Sequence, residues 1–143
     1  YVLAPNVIYT NRASQLFITQ SNGLRRLHSK EAQNSMTSRS ILPITNSGAM
    51  FFPNCFNADI GNQALYAAVA PKADDVWLKA MSLLVDVPCQ KVADTRQSSS
   101  RFLSIRPPIS SYQYAHNIIS KGLNDKEIAR VLDYFGLLER LEG

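Results

Sequence analysis

Apolar and polar side chains alternate through "NVIYTNRA" (6–13) and again through "QLFIT" (15–19), and both stretches are rich in β-branched and aromatic residues. A period of two with that composition predicts two strands. The next stretch, 20–40, is polar, and Asn22-Gly23 within it is a turn signal, so it reads as a long surface excursion with one helical turn. "ILPITNSGAMFFP" (41–53) is an apolar run interrupted by a small polar "TNSG". It predicts either a buried strand with a loop beside it or a strand entered through a bulge at Gly48.

From Gly61 the period lengthens. Ala64, Leu65, Ala68 and Val69 recur at helical spacing until Pro71. A second helix is predicted from Asp74, with Val76, Trp77, Ala80, Met81 and Leu84 forming the buried stripe and Lys79 and Ser82 facing elsewhere. "QKVAD" (90–94) predicts a short strand, and 95–111, with its serines, arginines and paired prolines, a long loop of the kind that binds or covers ligands. Ser111 is placed to cap a helix carrying Ala115, Ile118 and Ile119 that stops near Gly122. Asn124 with Glu127 resembles a capping box ahead of the stripe Ile128, Val131, Leu132 and Phe135, closed by Gly136. Strands followed by helices interleaved with strands predict an α/β class: a mixed sheet with flanking helices, in a unit that needs further strands to complete it.

A chain of 143 residues that is 45% hydrophobic carries one ordinary core, so 1–143 is expected to be a single domain. It begins at Tyr1 with neither the basic start nor the apolar run of a secretory signal, which suggests a piece of a longer chain. No apolar run approaches the roughly 20 residues of a membrane span. The net charge of +4 is spread over loops and helix ends, which argues against nucleic acid as a partner. Cys55 and Cys89 match no metal spacing and are too few for a disulfide framework; the reading is reduced, half-buried thiols in a cytosolic setting, with a single bridge as the alternative.

Two readings stand for Asp74 and Asp75. One aspartate caps the helix while both favour its dipole, a structural role worth about 0.5–2 kcal/mol for the cap. In the other, the carboxylate that is not needed for capping sits beside the Trp77 indole, which excludes water, raises its basicity and suits a general base. Thr45, Asn46 and Gly48 serve equally as part of a core strand or as a cleft edge where small residues let a ligand approach the main chain. Asn124, Asp125 and Lys126 form a helix start that could hold a phosphate or simply a solvated cap. His28 and His116 have no second ligand at metal spacing, and no Gly-rich phosphate loop or Ser or Cys nucleophile motif occurs.

Together "TNSGAMFFP", "PKADDVWLKAMSLL" and "GLNDKEIARVLDYFG" resemble the C-terminal half of bacterial GT-A type glycosyltransferases, in the group that builds capsule and lipopolysaccharide chains. There a Thr-Gly-x-Gly-Gly-x-x-x-Pro strand leads to a Pro-x-Ala-Asp-Asp-x-Trp helix and ends in an Asn-Asp-Lys helix; the similarity covers roughly 41–136, and the Ala-Asp-Asp-x-Trp block is its specific part. The resemblance implies the acceptor-side half of a GT-A fold that moves a sugar from a nucleotide-sugar donor to a hydroxyl of a glycan acceptor. It casts Asp75 as the base and Asp74 as a holder of acceptor hydroxyls. Trp77 becomes a wall of the sugar pocket, and Asn124, Asp125 and Lys126 become neighbours of the donor diphosphate. It further implies a cytoplasmic enzyme, compatible with peripheral association with the inner membrane. Such enzymes carry an Asp-x-Asp metal motif in a preceding nucleotide-binding half; none occurs in this sequence, so the divalent ion, Mg or Mn, is expected to be held mainly outside this chain.

Overall fold

The computed structural model describes residues 3–94, 96 and 123–141. The long loop 95–111, apart from Arg96, and the Ser111–Gly122 helix reading lie outside the described residues. Within them the chain is a mixed α/β unit. Its two small sheets are built from β1 (Ile8–Thr10), β2 (Ala13–Ser21), β3 (Leu24–Glu31), β4 (Thr37–Ser38), β5 (Ile41–Pro43), β6 (Ala49–Met50) and β7 (Cys89–Lys91). Three α-helices accompany them, α1 (Gln63–Val69), α2 (Asp74–Leu84) and α3 (Leu123–Tyr134), with short 3-10 turns at Thr45–Ser47, Ala58–Gly61 and Leu138–Leu141. No described helix is long and apolar enough to cross a membrane.

One sheet runs β4-β7-β1-β6 and the other β3-β2-β5. In the first, β1 pairs parallel with β7 and antiparallel with β6. The two sheets share one interrupted ladder. Ala13 pairs with Pro43 and Thr10 with Ala49, so Asn11 and Arg12 lie opposite the whole of 44–48. The excess residues bulge outward, and main-chain bonds hold the bulge's ends, Ile44 N–H to the Arg12 carbonyl at 2.9 Å and Asn11 N–H to the Gly48 carbonyl at 3.1 Å, joined by the Asn11 side-chain amide to the Ser47 carbonyl at 3.3 Å. "NVIYTNRA" is thus not one strand. It breaks at Asn11-Arg12, where the chain passes between sheets.

The polar stretch 20–40 differs most from its expected form. Asn22 and Gly23 both have positive φ, the requirement of the tight two-residue hairpin turn, and β3 pairs with β2 along its whole length. An edge strand largely open to solvent needs no alternation, which is why "LRRLHSKE" carries no strand period. Cross-strand pairs hold it instead: the Phe17 and His28 rings stack at 5.5 Å, Thr19 Oγ1 meets His28 Nε2 at 2.9 Å, and Lys30 Nζ lies 5.4 Å from the Phe17 ring.

α2 begins at Asp74 as the pattern predicts, but its N-cap is Ala73 and no side chain caps it. Neither aspartate is the cap. α3 is helical at Leu123, so Asn124 lies inside the helix and not at its cap. Its other end follows the reading: Gly136, with φ of 64°, sits past the last turn while Leu137 N–H bonds the Leu132 carbonyl at 2.8 Å and Gly136 N–H the Asp133 carbonyl at 2.9 Å, a Schellman stop. Leu132 and Leu137 are both buried in the main core, where α2 and α3 meet Leu16 of β2 and Leu42 of β5.

α2 is buried on nearly every side. Lys79 and Ser82, expected to face away from the core, are enclosed along with the apolar stripe. Ser82 satisfies its hydroxyl on the Lys79 carbonyl at 2.9 Å. Lys79 is 0% exposed, and among the described residues its ammonium reaches only the Cys89 sulfur, 3.9 Å away. Desolvation lowers its pKa from 10.5 and raises that of the Cys89 thiol. Cys55 and Cys89 are free and fully buried, deeper than expected.

Because the folded pKa of Lys79 lies below its unfolded value, the unfolded chain binds the extra proton once pH falls below 10.5, and this group's penalty grows in that direction. Lys79→Met, similar in volume and without the uncompensated polar group, should therefore stabilise the fold at neutral pH by about 1–3 kcal/mol. Urea titrations at several pH values should show that gap narrowing as pH rises toward 10.5. A variant equally destabilised at every pH would contradict this.

Candidate functional site

The start of α2 meets the bulge between β5 and β6. Asp75, on the first turn, accepts hydrogen bonds at Oδ1 from the Thr45 backbone N–H, at 3.1 Å, and from the Thr45 hydroxyl. Its Oδ2 has no hydrogen-bond partner among the described residues. Two donors thus fix one oxygen and the plane of the carboxylate, while the other oxygen is left to whatever enters. Asp74 turns away from its neighbour and accepts the Tyr66 hydroxyl at 2.5 Å; that bond is the first cause of a raised Tyr66 pKa.

Asp75 is half-buried and lines an open cleft of about 500 Å³ together with Thr45, Asn46, Asp74, Arg12 and Lys72. Its floor is apolar, from Leu42, Ile44 and Val76. The volume suits a sugar-sized ligand. Asp74 and Asp75 put acidic side chains in the first turn of α2, the end of a helix where its dipole favours them. Arg12 and Lys72 enter from the two neighbouring links, β1 to β2 and α1 to α2, and neither makes a hydrogen bond or ion pair through its side chain among the described residues.

Of the residues singled out from sequence, Thr45, Asn46, Asp74 and Asp75 are brought together. Gly48 lines a different, shallower hollow with Tyr9, Asn11 and Met50. Its glycine is required by a φ of 93° and by the Asn11 side-chain nitrogen 3.0 Å from where a Cβ would stand. Trp77 is a core residue and not a wall of the cleft: it is 4% exposed, its indole N–H bonds the Ile60 carbonyl at 3.1 Å, and Tyr66 and Phe135 pack on its ring. Asp125 and Lys126 line a separate groove beside β3 with Arg25 and Arg26, and Ser29 donates to Asp125 at 2.6 Å. Asn124 shares their helical turn, but its side chain lies outside the described residues. One site common to Asp75, Gly48 and the Asn124 turn is therefore not formed by the described residues.

Asp74 and Asp75 diverge to different partners, and among the described residues no three His, Cys, Asp or Glu side chains gather to ligate a cation. The described residues do not fit the role of a divalent-ion cage. Arg12, Lys72 and Tyr66 escaped the sequence reading. Lys72 stands inside the Pro-Lys-Ala-Asp-Asp block and a closer look at it was open; Arg12 has no local signal, since only the ladder's bulge carries it to α2.

No family model matches this chain, and neither does any curated protein or solved structure.

The clasp itself makes a prediction. Thr45→Val keeps the side chain's volume and the N–H bond but removes a hydroxyl that donates to a carboxylate, and should cost about 1–3 kcal/mol in urea unfolding. No measurable loss would mean that the hydroxyl is not engaged.

Proposed function

We propose that the chain is the acceptor-side half of a GT-A type glycosyltransferase, with Asp75 as the general base. The single observation that carries the proposal is the asymmetric Asp75 carboxylate, with Oδ1 held by Thr45 and Oδ2 unpartnered among the described residues, on a residue that lines a sugar-sized cleft. The resemblance of the Ala-Asp-Asp-x-Trp block points the same way. An acceptor hydroxyl placed against Oδ2 gives up its proton to the carboxylate as its oxygen bonds the anomeric carbon of the donor. The bond from that carbon to the nucleoside diphosphate breaks, and the diphosphate leaves with the electron pair. Holding the carboxylate plane in advance removes part of the ordering cost of that step. No step here runs through the Mg or Mn ion that the resemblance implies. A cytoplasmic location, with peripheral attachment to the inner membrane, belongs to the same proposal.

A second reading keeps the cleft and drops the chemistry: a non-catalytic carbohydrate- or partner-binding module of the same fold, in which Asp75 accepts a hydrogen bond from a bound hydroxyl without taking its proton. It is favoured by the Thr45 bonds, which alone give Asp75 a structural reason to exist.

Asp75→Asn separates the two. Asparagine keeps the Oδ1 acceptor for both Thr45 bonds, so the melting temperature should hardly change, while loss of the base should cut transfer about 10²–10⁴-fold. The assay is release of nucleoside diphosphate from nucleotide sugars by the complete polypeptide in the presence of glycan acceptors. Full activity in the variant removes the base assignment. Glycan binding without any release by the unaltered protein selects the binding module.

A further inference from the structure

Most cations among the described residues have side-chain partners. Arg39 is held in a two-pronged pair with Asp86, Lys91 meets Glu31, and Arg96 meets Asp94. Four described cations have no side-chain partner among the described residues: Arg26 and Lys126, on the groove beside β3, and Arg12 and Lys72, both exposed and both lining the Asp75 cleft. Neither Arg12 nor Lys72 forms an ion pair with Asp74 or Asp75, whose carboxylates accept from uncharged donors, Tyr66 and Thr45. Both cations also stand on fixed backbone. The Arg12 carbonyl accepts from Ile44 N–H and Thr10 Oγ1, and Lys72 precedes Ala73, whose N–H bonds the Ala70 carbonyl at 3.2 Å and whose carbonyl accepts Trp77 N–H at 2.9 Å.

We infer that the sugar bound beside Asp75 carries an anionic substituent, a carboxylate or a phosphate, and that Arg12 and Lys72 hold it. The inference rests on the reading of this cleft as a glycan site. A neutral sugar would leave both cations without a partner among the described residues. An acidic one satisfies the Arg12 fork through paired hydrogen bonds and the Lys72 ammonium as a point charge. The acidic group would sit at the cations, leaving a ring hydroxyl for Oδ2 of Asp75. The charged group thus fixes which hydroxyl reaches the base. Because the cleft is open, the attraction is screened by salt and amounts to about tenfold in affinity for the two cations together.

An NMR titration of the ¹⁵N-labelled protein with methyl β-D-glucoside, methyl β-D-glucuronide and glucose 6-phosphate tests this. At low salt, at least one acidic probe should move the Thr45, Asn46 and Lys72 amides at about tenfold lower concentration than the neutral glucoside. Which acidic probe does so identifies the anion. The preference should vanish in the double variant Arg12→Gln, Lys72→Gln and persist in Asp75→Asn, which retains both cations. Equal binding of all three probes, or a preference that survives the double variant, overturns the inference and leaves Asp75 as a base untouched. No shift of these amides with any sugar overturns both the inference and the glycan reading.

Discussion

The bulge between β5 and β6 has to be held by something. Five residues, 44–48, occupy a length of ladder that Asn11 and Arg12 span alone, and the ends of the bulge are tied by main-chain bonds to those two residues. In the middle, the Thr45 N–H points away from the ladder and finds the Asp75 carboxylate across the chain. A backbone donor in a half-buried place needs a partner, and a carboxylate on the first turn of α2 is a strong one. The constraint runs both ways: the loop fixes the carboxylate, and the helix fixes the loop. The cleft is what remains between them.

Some of the ions out in water pair, as Arg25 does with Glu139 and Arg39 with Asp86, the latter lowering the aspartate's pKa and raising that of the arginine. Such exposed pairs contribute little each. Where an ionisable group is enclosed, as Lys79 is, burial itself moves it toward the neutral form. In the Asp75 cleft the two acids accept from hydroxyl and amide donors, while Oδ2 of Asp75 and the Arg12 and Lys72 side chains have no partner among the described residues; the proposed anionic-sugar site rests on that arrangement.

Legibility in the sequence followed the strength of the local signal. α2 was readable from its stripe and its acidic first turn, and the end of α3 from Gly136, because these signals act within one or two turns of helix. β3 was not readable: its order comes from pairing with β2, and an edge strand open to water needs no hydrophobic period. Lys79 and Ser82 were misplaced because helical period describes one face, whereas α2 is covered on several. At the site, the residue types were visible but their partners were not. That Asp75 bonds Thr45 and Asp74 bonds Tyr66, that Trp77 turns inward, and that Arg12 arrives beside Lys72 all depend on tertiary geometry between different elements of the chain. The α/β class was legible from the order of elements; the break of the first strand between two sheets was not.

The account depends most directly on the Asp75 carboxylate holding the Thr45 amide. Amide hydrogen exchange at Thr45 measures that bond alone, in a loop residue outside any sheet ladder. The account predicts an amide that is protected in the unaltered protein, stays protected in Asp75→Asn, and exchanges like an open loop in Asp75→Ala while the β2 and α2 amides keep their protection. A Thr45 amide that exchanges freely in the unaltered protein, or one that Asp75→Ala leaves protected, would contradict it.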